Sequence, residues 1–466
     1  MSKVIAIIPQ VAALVVLHKI LQYKEAPMEC GIDESDGLDD QGLPLSGADD
    51  SGVSGDLEIV AETRRELVID HPLALTGVLQ TYGWGKIGEL SKAAQLHGEF
   101  DQGTPYAELW LGVHPNGQAI TTLNGQTTNF ADICAASPTQ ILGPQVQELY
   151  GELPFLFKVL SIGQPLSIQA HPDPELAKVL HAADPDHYPD DRHKPEIAIA
   201  ITYLEYLRGF RSISEISENF KRREPLKKLL GPDLAQRLQD YANHDSEQLL
   251  RDVYQAVMRA DADLLETVTT EMLSAIDVEG EVSREDEWFK TLAEDYPKGD
   301  VGMISFYLLN LGRIEKGQAI FTGPGIPHAY LAGDIVEVMS NSDNTVRGGI
   351  TPKFIDVENL LSMLTYEQGQ MPLVETTPLS QSKGVRYVTP APEFVVDLFD
   401  NDCISEQHST NQGVQLVFCL SGSANLEVSG SAFELKPGGA LIIPASCPDY
   451  TLTVNEGSMF RVSVAA

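Results

Sequence analysis

Basic charge is scarce in this chain: 32 Lys and Arg stand against 67 Asp and Glu among 466 residues, a formal net charge of −35 at pH 7. So acidic a surface disfavours the phosphate backbone, and nucleic acid is excluded as a partner. A few cations converging on one cleft barely change that total, so an anionic substrate remains compatible. Cysteine is scarce as well. Cys30, Cys134, Cys403, Cys419 and Cys447 form no C-x-x-C pair and no even framework, which indicates free thiols in a reducing, cytoplasmic setting. The apolar run Val4 to Leu17 behind Lys3 falls short of the ~20 residues that span a bilayer and is broken by Pro9 and Gln10. The HKILQYKEA that follows holds no obvious small-x-small cleavage site, so a targeting segment, a mispredicted start and a disordered extension all remain open. From Glu25 to Glu58 there are 11 acidic residues and no Lys or Arg, a composition that cannot bury enough surface to order itself. Residues 1–70 are expected to lie outside the fold, which should begin near His71.

What is present is the material of a core. Apolar residues make up 43 % of the chain and charged ones 21 %, and the length suffices for two or three domains. From Pro72 to about Arg211, short β-like runs such as Pro154–Leu160 and Glu196–Thr202 are broken by Gly and Pro, which reads as antiparallel sheet or barrel. Ser212 and Glu215 form a capping box, and Leu249, Leu250, Val253 and Val257 recur at helical spacing, so a helical insertion is expected from 212 to about 300. Sheet texture resumes at about Val301, and from about Pro390 strands return, with Gly413–Gly430 suggesting a hairpin meander. The expected division is a first catalytic segment at 71–211, a helical domain at 212–300, a second catalytic segment at 301–375 and a carboxy-terminal domain at 376–466.

One segment is repeated. Gly317 to His328 aligns without a gap on Gly438 to Asp449, each a strand, a Gly/Pro turn and a second strand entry. The pattern resembles the second motif of cupin barrels, small jelly rolls in which a His after the turn points inward to a metal. The first copy has His328 where the second has Asp449, so a duplication with one metal-free barrel is expected. The fold class is therefore mainly β with a helical insertion: two cupin barrels plus an α-helical domain.

Strand alternation then selects residues for chemistry. In Leu166–Pro172, Ser167, Gln169 and His171 share one face. In Glu196–Ile201, Glu196 shares a face with Ala198 and Ala200 and leaves Ile197, Ile199 and Ile201 opposite. A carboxylate among small residues inside a narrow barrel needs a partner, and a divalent cation supplies one. His328 and Tyr330 again fall on one face. Gln169, His171, Glu196 and His328 make an N₂O₂ set suited to Zn²⁺, while Mn²⁺, Fe²⁺ and Co²⁺ stay open on geometry alone. Glu337 and Arg347 follow His328 in a polar segment that, read alone, could equally be a surface ion pair.

The blocks Tyr82–Gly88, Ala107–Gly117, Leu153–His181, His187–Thr202 and Gly325–Leu364 together resemble the type I mannose-6-phosphate isomerases, zinc enzymes of the cupin superfamily. The resemblance covers about Leu75 to Tyr366, is looser in the carboxy-terminal region and does not reach residues 1–70. It implies one zinc per chain on Gln169, His171, Glu196 and His328, the same four positions. It implies interconversion of mannose 6-phosphate and fructose 6-phosphate through a cis-enediol, feeding mannose metabolism and GDP-mannose supply.

Matching position by position, Arg347 is the cation for the enediolate, Glu337 or His193 the base or proton relay, and Lys194 and Lys158 bind substrate oxygens or phosphate. Trp84, Ser167, Tyr330 and Lys353 line the pocket, and His114 either serves the site or caps a turn. Gly83, Gly163 and Gln164 depart from the family pattern without touching a ligand position. No glycine-rich nucleotide-binding loop accompanies these blocks, so the chain is expected to be a stand-alone isomerase, monomeric and without a membrane partner. A non-catalytic sugar-binding cupin and an oxidative metal cupin are the rival classes; the first predicts a missing ligand and the second more His ligands.

Overall fold

The computed structural model describes residues 69–278, 282–379, 384–400, 404–410 and 413–465. The expectations for residues 1–68 lie outside this range. Ile69, fully buried, takes its amide to Gln140 at 2.9 Å, and the first strand, Leu73–Thr76, follows at once.

Two mixed-origin sheets carry the fold. A nine-stranded sheet runs in the order 309–315, 196–210, 328–340, 155–162, 108–111 and 78–80, with 319–322, 168–170 and 346–349 attached. An eleven-stranded sheet is built on 395–400, 450–463, 415–428 and 440–443, and continues into 73–76, 120–123 and 126–129. Leu73 pairs with Ile442, so the amino-terminal segment contributes strands to both sheets. Neither hydrogen-bonded order closes on itself among the described strands.

The repeat is visible as structure. Ala319–Thr322 and Ala440–Ile443 are four-residue strands at equivalent repeat positions, each followed by a turn and a long strand, His328–Ser340 or Tyr450–Ser463. The long strand lies beside a second one in both copies: Glu196–Phe210 pairs with the first, Gln415–Val428 with the second. Asp449 is exposed, whereas His328 is fully buried.

Between the sheets, Ile197, Ile199, Ile201, Phe157 and Val159 pack against Leu416, Phe418, Phe460 and Val462. Phe157 and Phe418 meet with ring centres 4.9 Å apart. The opposite face of the nine-stranded sheet holds Ala198, Ala200, Leu160, Tyr330 and Ile335.

Helices fill the insertion from Ile213–Arg222, whose capping box Ser212/Glu215 is formed, to Arg284–Asp295. They pack on Ile168, Ala170, Ala329, Leu331 and Val346. Because strand side chains alternate, this packing leaves Gln169, His328, Tyr330 and Arg347 for the other face.

Three local expectations change. Val301–Ser305 is a short helix, capped by the Asp300 carboxylate on the Gly302 amide at 2.7 Å, and the strand starts only at Leu309. Gln415–Val428 is one continuous strand, with register shifts at Cys419/Ser421 and Ser423/Ala424 on either side of the Gly422–Gly457 pair, and the hairpin turn sits at Ser429-Gly430, both at positive φ. Helices also interrupt the expected all-sheet segment, among them Pro174–Ala183, started by Asp173 capping the amides of Glu175 and Leu176. Among the described residues no helix is long and apolar enough to cross a membrane.

Candidate metal centre

Two short strands and the starts of two long ones converge. Gln169 lies across the ladder from His328 on one side and from Arg347 on the other. Glu196 begins its strand directly after the Lys194-Pro195 step.

His171, Glu196 and His328 are all fully buried, with one ligand atom from each within 4.8 Å of the others. Glu196 Oε1 lies 3.0 Å from His328 Nε2, and Oε2 lies 3.4 Å from His171 Nε2. Both imidazoles are held from behind: His171 Nδ1 is 2.8 Å from the Asn344 carbonyl and His328 Nδ1 is 3.0 Å from that of Ile326. A carbonyl only accepts, so each Nδ1 carries the proton and each Nε2 turns a lone pair toward the carboxylate.

Charge follows burial. Desolvation, aided by the Lys194 cation, pushes His171 down to about 4, keeping it neutral and able to ligate at neutral pH. Burial alone would raise the Glu196 carboxyl, but Lys194, its Nζ 3.4 Å away, holds it well below the usual range. Tyr330 donates its hydroxyl to Glu196 Oε1 at 2.7 Å.

Even so, His171 Nε2 and Glu196 Oε2 are left without a hydrogen-bond partner in a fully buried place. Two orphaned acceptors beside a third donor atom of the same kind are what a divalent cation satisfies. Half-buried Gln169 brings its side-chain amide to 3.3 Å from His328 Nε2, and the amide oxygen is the atom that would join this set. The residues therefore fit zinc.

A second polar cluster shares the face. Lys158 Nζ sits 3.1 Å from Glu337 Oε2 and 3.6 Å from Glu108 Oε2. Burial raises the Glu337 carboxyl above its ordinary value against the pull of Lys158. Burial pulls the Lys158 ammonium down, but Glu108 and Glu337 more than reverse this and hold it protonated. Arg347 is half-buried, and burial lowers its guanidinium somewhat from a very high ordinary value.

The other expected site residues are placed unequally. Lys194 joins the Glu196 carboxylate. Trp84 packs on the apolar cluster around Tyr330, Ser167 is half-buried and Lys353 is exposed. His193 is not brought to the centre. Neighbours in an extended chain point to opposite sides, and where Lys194 meets Glu196, His193 Nε2 turns to Glu393 Oε1 at 2.6 Å. His114 is buried, edge-on to Trp110, with its Nε2 3.2 Å from Asp343 Oδ1.

Sequence reasoning missed Glu108, Trp110 and Asn344. Trp110 donates its indole N–H to Glu108, and Lys158 lies over its ring, 4.8 Å from the centre. The alternation of Glu108 and Trp110 in one strand was the available signal. For Asn344 no local pattern exists, since its backbone carbonyl does the work.

Comparison with known proteins agrees with this geometry. Residues 73–213 match the phosphomannose isomerase type I catalytic domain, 229–309 its helical insertion domain and 386–464 the mannose-6-phosphate isomerase cupin domain. The mannose-6-phosphate isomerase of Candida albicans is 39 % identical over 417 residues, 78 % of this chain and 93 % of that protein. That of Saccharomyces cerevisiae is 36 % identical over 401 residues, 79 % and 92 % of the two. A zinc-bound mannose 6-phosphate isomerase crystal structure superposes with a TM-score of 0.75 at 28 % identity, covering 85 % of this chain and all of its own.

Proposed function

The chain belongs to the type I phosphomannose isomerase family, and from that premise we propose that it interconverts mannose 6-phosphate and fructose 6-phosphate with one zinc ion per chain. The observation that carries this reading is the pair of orphaned buried atoms, His171 Nε2 and Glu196 Oε2, beside His328 with both imidazole tautomers fixed. Gln169, His171, Glu196 and His328 hold the metal. When bound, it supplies Lewis-acid polarisation of the oxygens at C1 and C2 of the sugar.

The remaining steps belong to side chains. An aldose-ketose shift through a cis-enediol moves a proton between C1 and C2 and develops negative charge on the adjacent oxygens. Arg347, in register with Gln169, presents a guanidinium to that charge. Glu337, buried with its carboxyl raised toward working pH, takes and returns the proton. Lys158 and Lys194 bind substrate oxygens, and Tyr330 and Trp84 close the apolar wall. His193, the alternative relay, turns its imidazole to Glu393, so Glu337 is the favoured base.

The same reading treats the two sheets as a duplicated cupin pair, the second without metal ligands. Their matched short and long strands support it. It further places the enzyme as a cytoplasmic monomer acting on a small sugar phosphate, in the supply of GDP-mannose.

The test is fructose 6-phosphate formation from mannose 6-phosphate by protein as purified, stripped of divalent metal, and reloaded with Zn²⁺. Activity lost and regained with zinc is expected. A folded, zinc-loaded protein without turnover would make the non-catalytic sugar-binding cupin the better reading.

A further inference from the structure

Ser342, Asp343 and Asn344 are gathered by one carboxylate that touches no metal ligand, while Glu152 holds Asn341 and His114 and Asn116 hold the Asp343 side chain. Asp190 Oδ1 accepts from the Ser342 hydroxyl at 2.8 Å and from Asn344 Nδ2 at 3.1 Å, and Oδ2 accepts from the Asp343 amide at 2.8 Å. The Asp190 carbonyl takes a further bond from Asn344 Nδ2 at 2.6 Å, and the Arg192 carbonyl another at 2.8 Å. Hydrogen bonds to a carboxylate are stronger than those between neutral groups, so the charge on Asp190 strengthens the tether on Ser342, Asp343 and Asn344. Ser342 and Asn344 are themselves buried, at 1 % and 0 % exposure, so water offers them no substitute.

This loop serves the centre twice. The carbonyl of Asn344 receives the His171 Nδ1 proton, which sets the ring's orientation and tautomer. Immediately after it, Val346 and Arg347 enter the ladder opposite Ala170 and Gln169. A shift of Asn344 would release the imidazole and slip the strand that carries Arg347.

We propose that Asp190 is a positioning residue of the metal centre, fixing His171 through the Asn344 carbonyl. The inference rests on the reading above only in taking zinc as the ion. Loss of such a support lowers metal affinity by roughly 10- to 100-fold. A carboxylate that merely stabilised the loop would shift the melting temperature and leave metal affinity alone.

The experiment is zinc competition against a chromophoric chelator at constant pH, on full-length wild type, Asp190→Asn, Asn344→Ala and the double variant. Asp190→Asn should bind zinc at least about tenfold more weakly. Asn344→Ala, which keeps the carbonyl but loses its tether, should weaken binding in the same direction. The double variant should lose less than the product of the two single losses, because both variants act on the Asn344 carbonyl and share the Asn344 Nδ2–Asp190 Oδ1 bond. Zinc affinity in Asp190→Asn within about threefold of wild type overturns the inference, as do losses that simply multiply in the double variant. Should Asp190→Asn fail to fold, unchanged affinity in Asn344→Ala decides against it, and weakened affinity for it. A wild type that does not bind zinc overturns the functional reading as well; a zinc-binding wild type with unaffected variants overturns this inference alone.

Discussion

Lys158 and Glu337 stand directly opposite one another on adjacent antiparallel strands, with Nζ 3.1 Å from Oε2. Glu108 approaches the same ammonium, and both Lys158 and Glu337 are buried, at 7 % and 4 % exposure. Two carboxylates thus share one cation. Removing it leaves buried negative charge uncompensated, a loss of about 3–5 kcal/mol for a buried pair. Lys158→Met should lower the unfolding free energy in urea by about that amount, and Glu337→Gln in the same background should recover part of it. An unchanged unfolding midpoint in Lys158→Met would contradict the pairing.

Arg347 holds its place through the ladder with Gln169 and does not contact the three buried ligands by any hydrogen bond or ion pair described. Arg347→Ala should therefore retain zinc, while kcat falls by about 10²–10³, the loss typical of removing a transition-state charge stabiliser. Metal content and kcat measured on one preparation check both halves. Unchanged kcat would remove Arg347 from the reaction.

The helical insertion has its own acid-sensitive lock. Asp286, fully buried, receives Arg223 Nε and Nη2 at 2.9 and 2.5 Å and the Tyr307 hydroxyl at 2.8 Å. Burial alone would raise its carboxyl, but Arg223, Ser283 and Tyr307 hold it well below the usual range. A carboxyl depressed on folding stabilises the fold above its unfolded pKa of about 3.9, and that contribution is lost as pH falls toward the folded value. Thermal midpoints should decline below about pH 5 in wild type. Asp286→Asn should be less stable at pH 7 by about 3–5 kcal/mol, since the charge that meets Arg223 Nε and Nη2 is gone, and should show a shallower acid decline. An equally steep decline in the variant would place the acid sensitivity elsewhere.

Truncation tests where the fold starts. Ile69 is buried, and Leu73–Thr76 bridges Ala440–Ile443 and Ile120–Leu123. Deleting residues 1–65 should leave kcat/KM unaltered, whereas deleting through residue 76 should give insoluble or inactive protein. Loss of activity in the shorter deletion would assign a role to the amino-terminal segment.

Much of the centre was legible because the relevant segments are short and regular. Glu196, Ala198 and Ala200 face inward and Ile197, Ile199 and Ile201 pack between the sheets, as period-two alternation requires. His328 and Tyr330 reach the same carboxylate for the same reason. Glu337 could not be placed that way. It lies an odd number of residues from His328, so unbroken alternation would point it to the opposite face. The ladder, however, steps from Ala332 to Tyr330 against Glu205 and Tyr206, and the extra residue changes the phase. Gly333 permits the irregularity next to it: φ is +132°, and a Cβ there would fall 1.9 Å from the Tyr203 carbonyl oxygen. Bulges of this kind depend on the partner strand. The Asp190 clamp and the Asn344 carbonyl were hidden for a related reason, since their partners lie 154 and 173 residues away and use backbone atoms that no side-chain motif records.

The most direct test of the account is a zinc titration of metal-stripped protein in which isomerisation of mannose 6-phosphate is followed at every point, alongside His328→Ala. Activity should rise in proportion to added zinc and break at one ion per chain in wild type, and His328→Ala should neither take up the ion tightly nor gain activity. Full turnover before any zinc is added, or a His328→Ala protein as active as wild type, would contradict it.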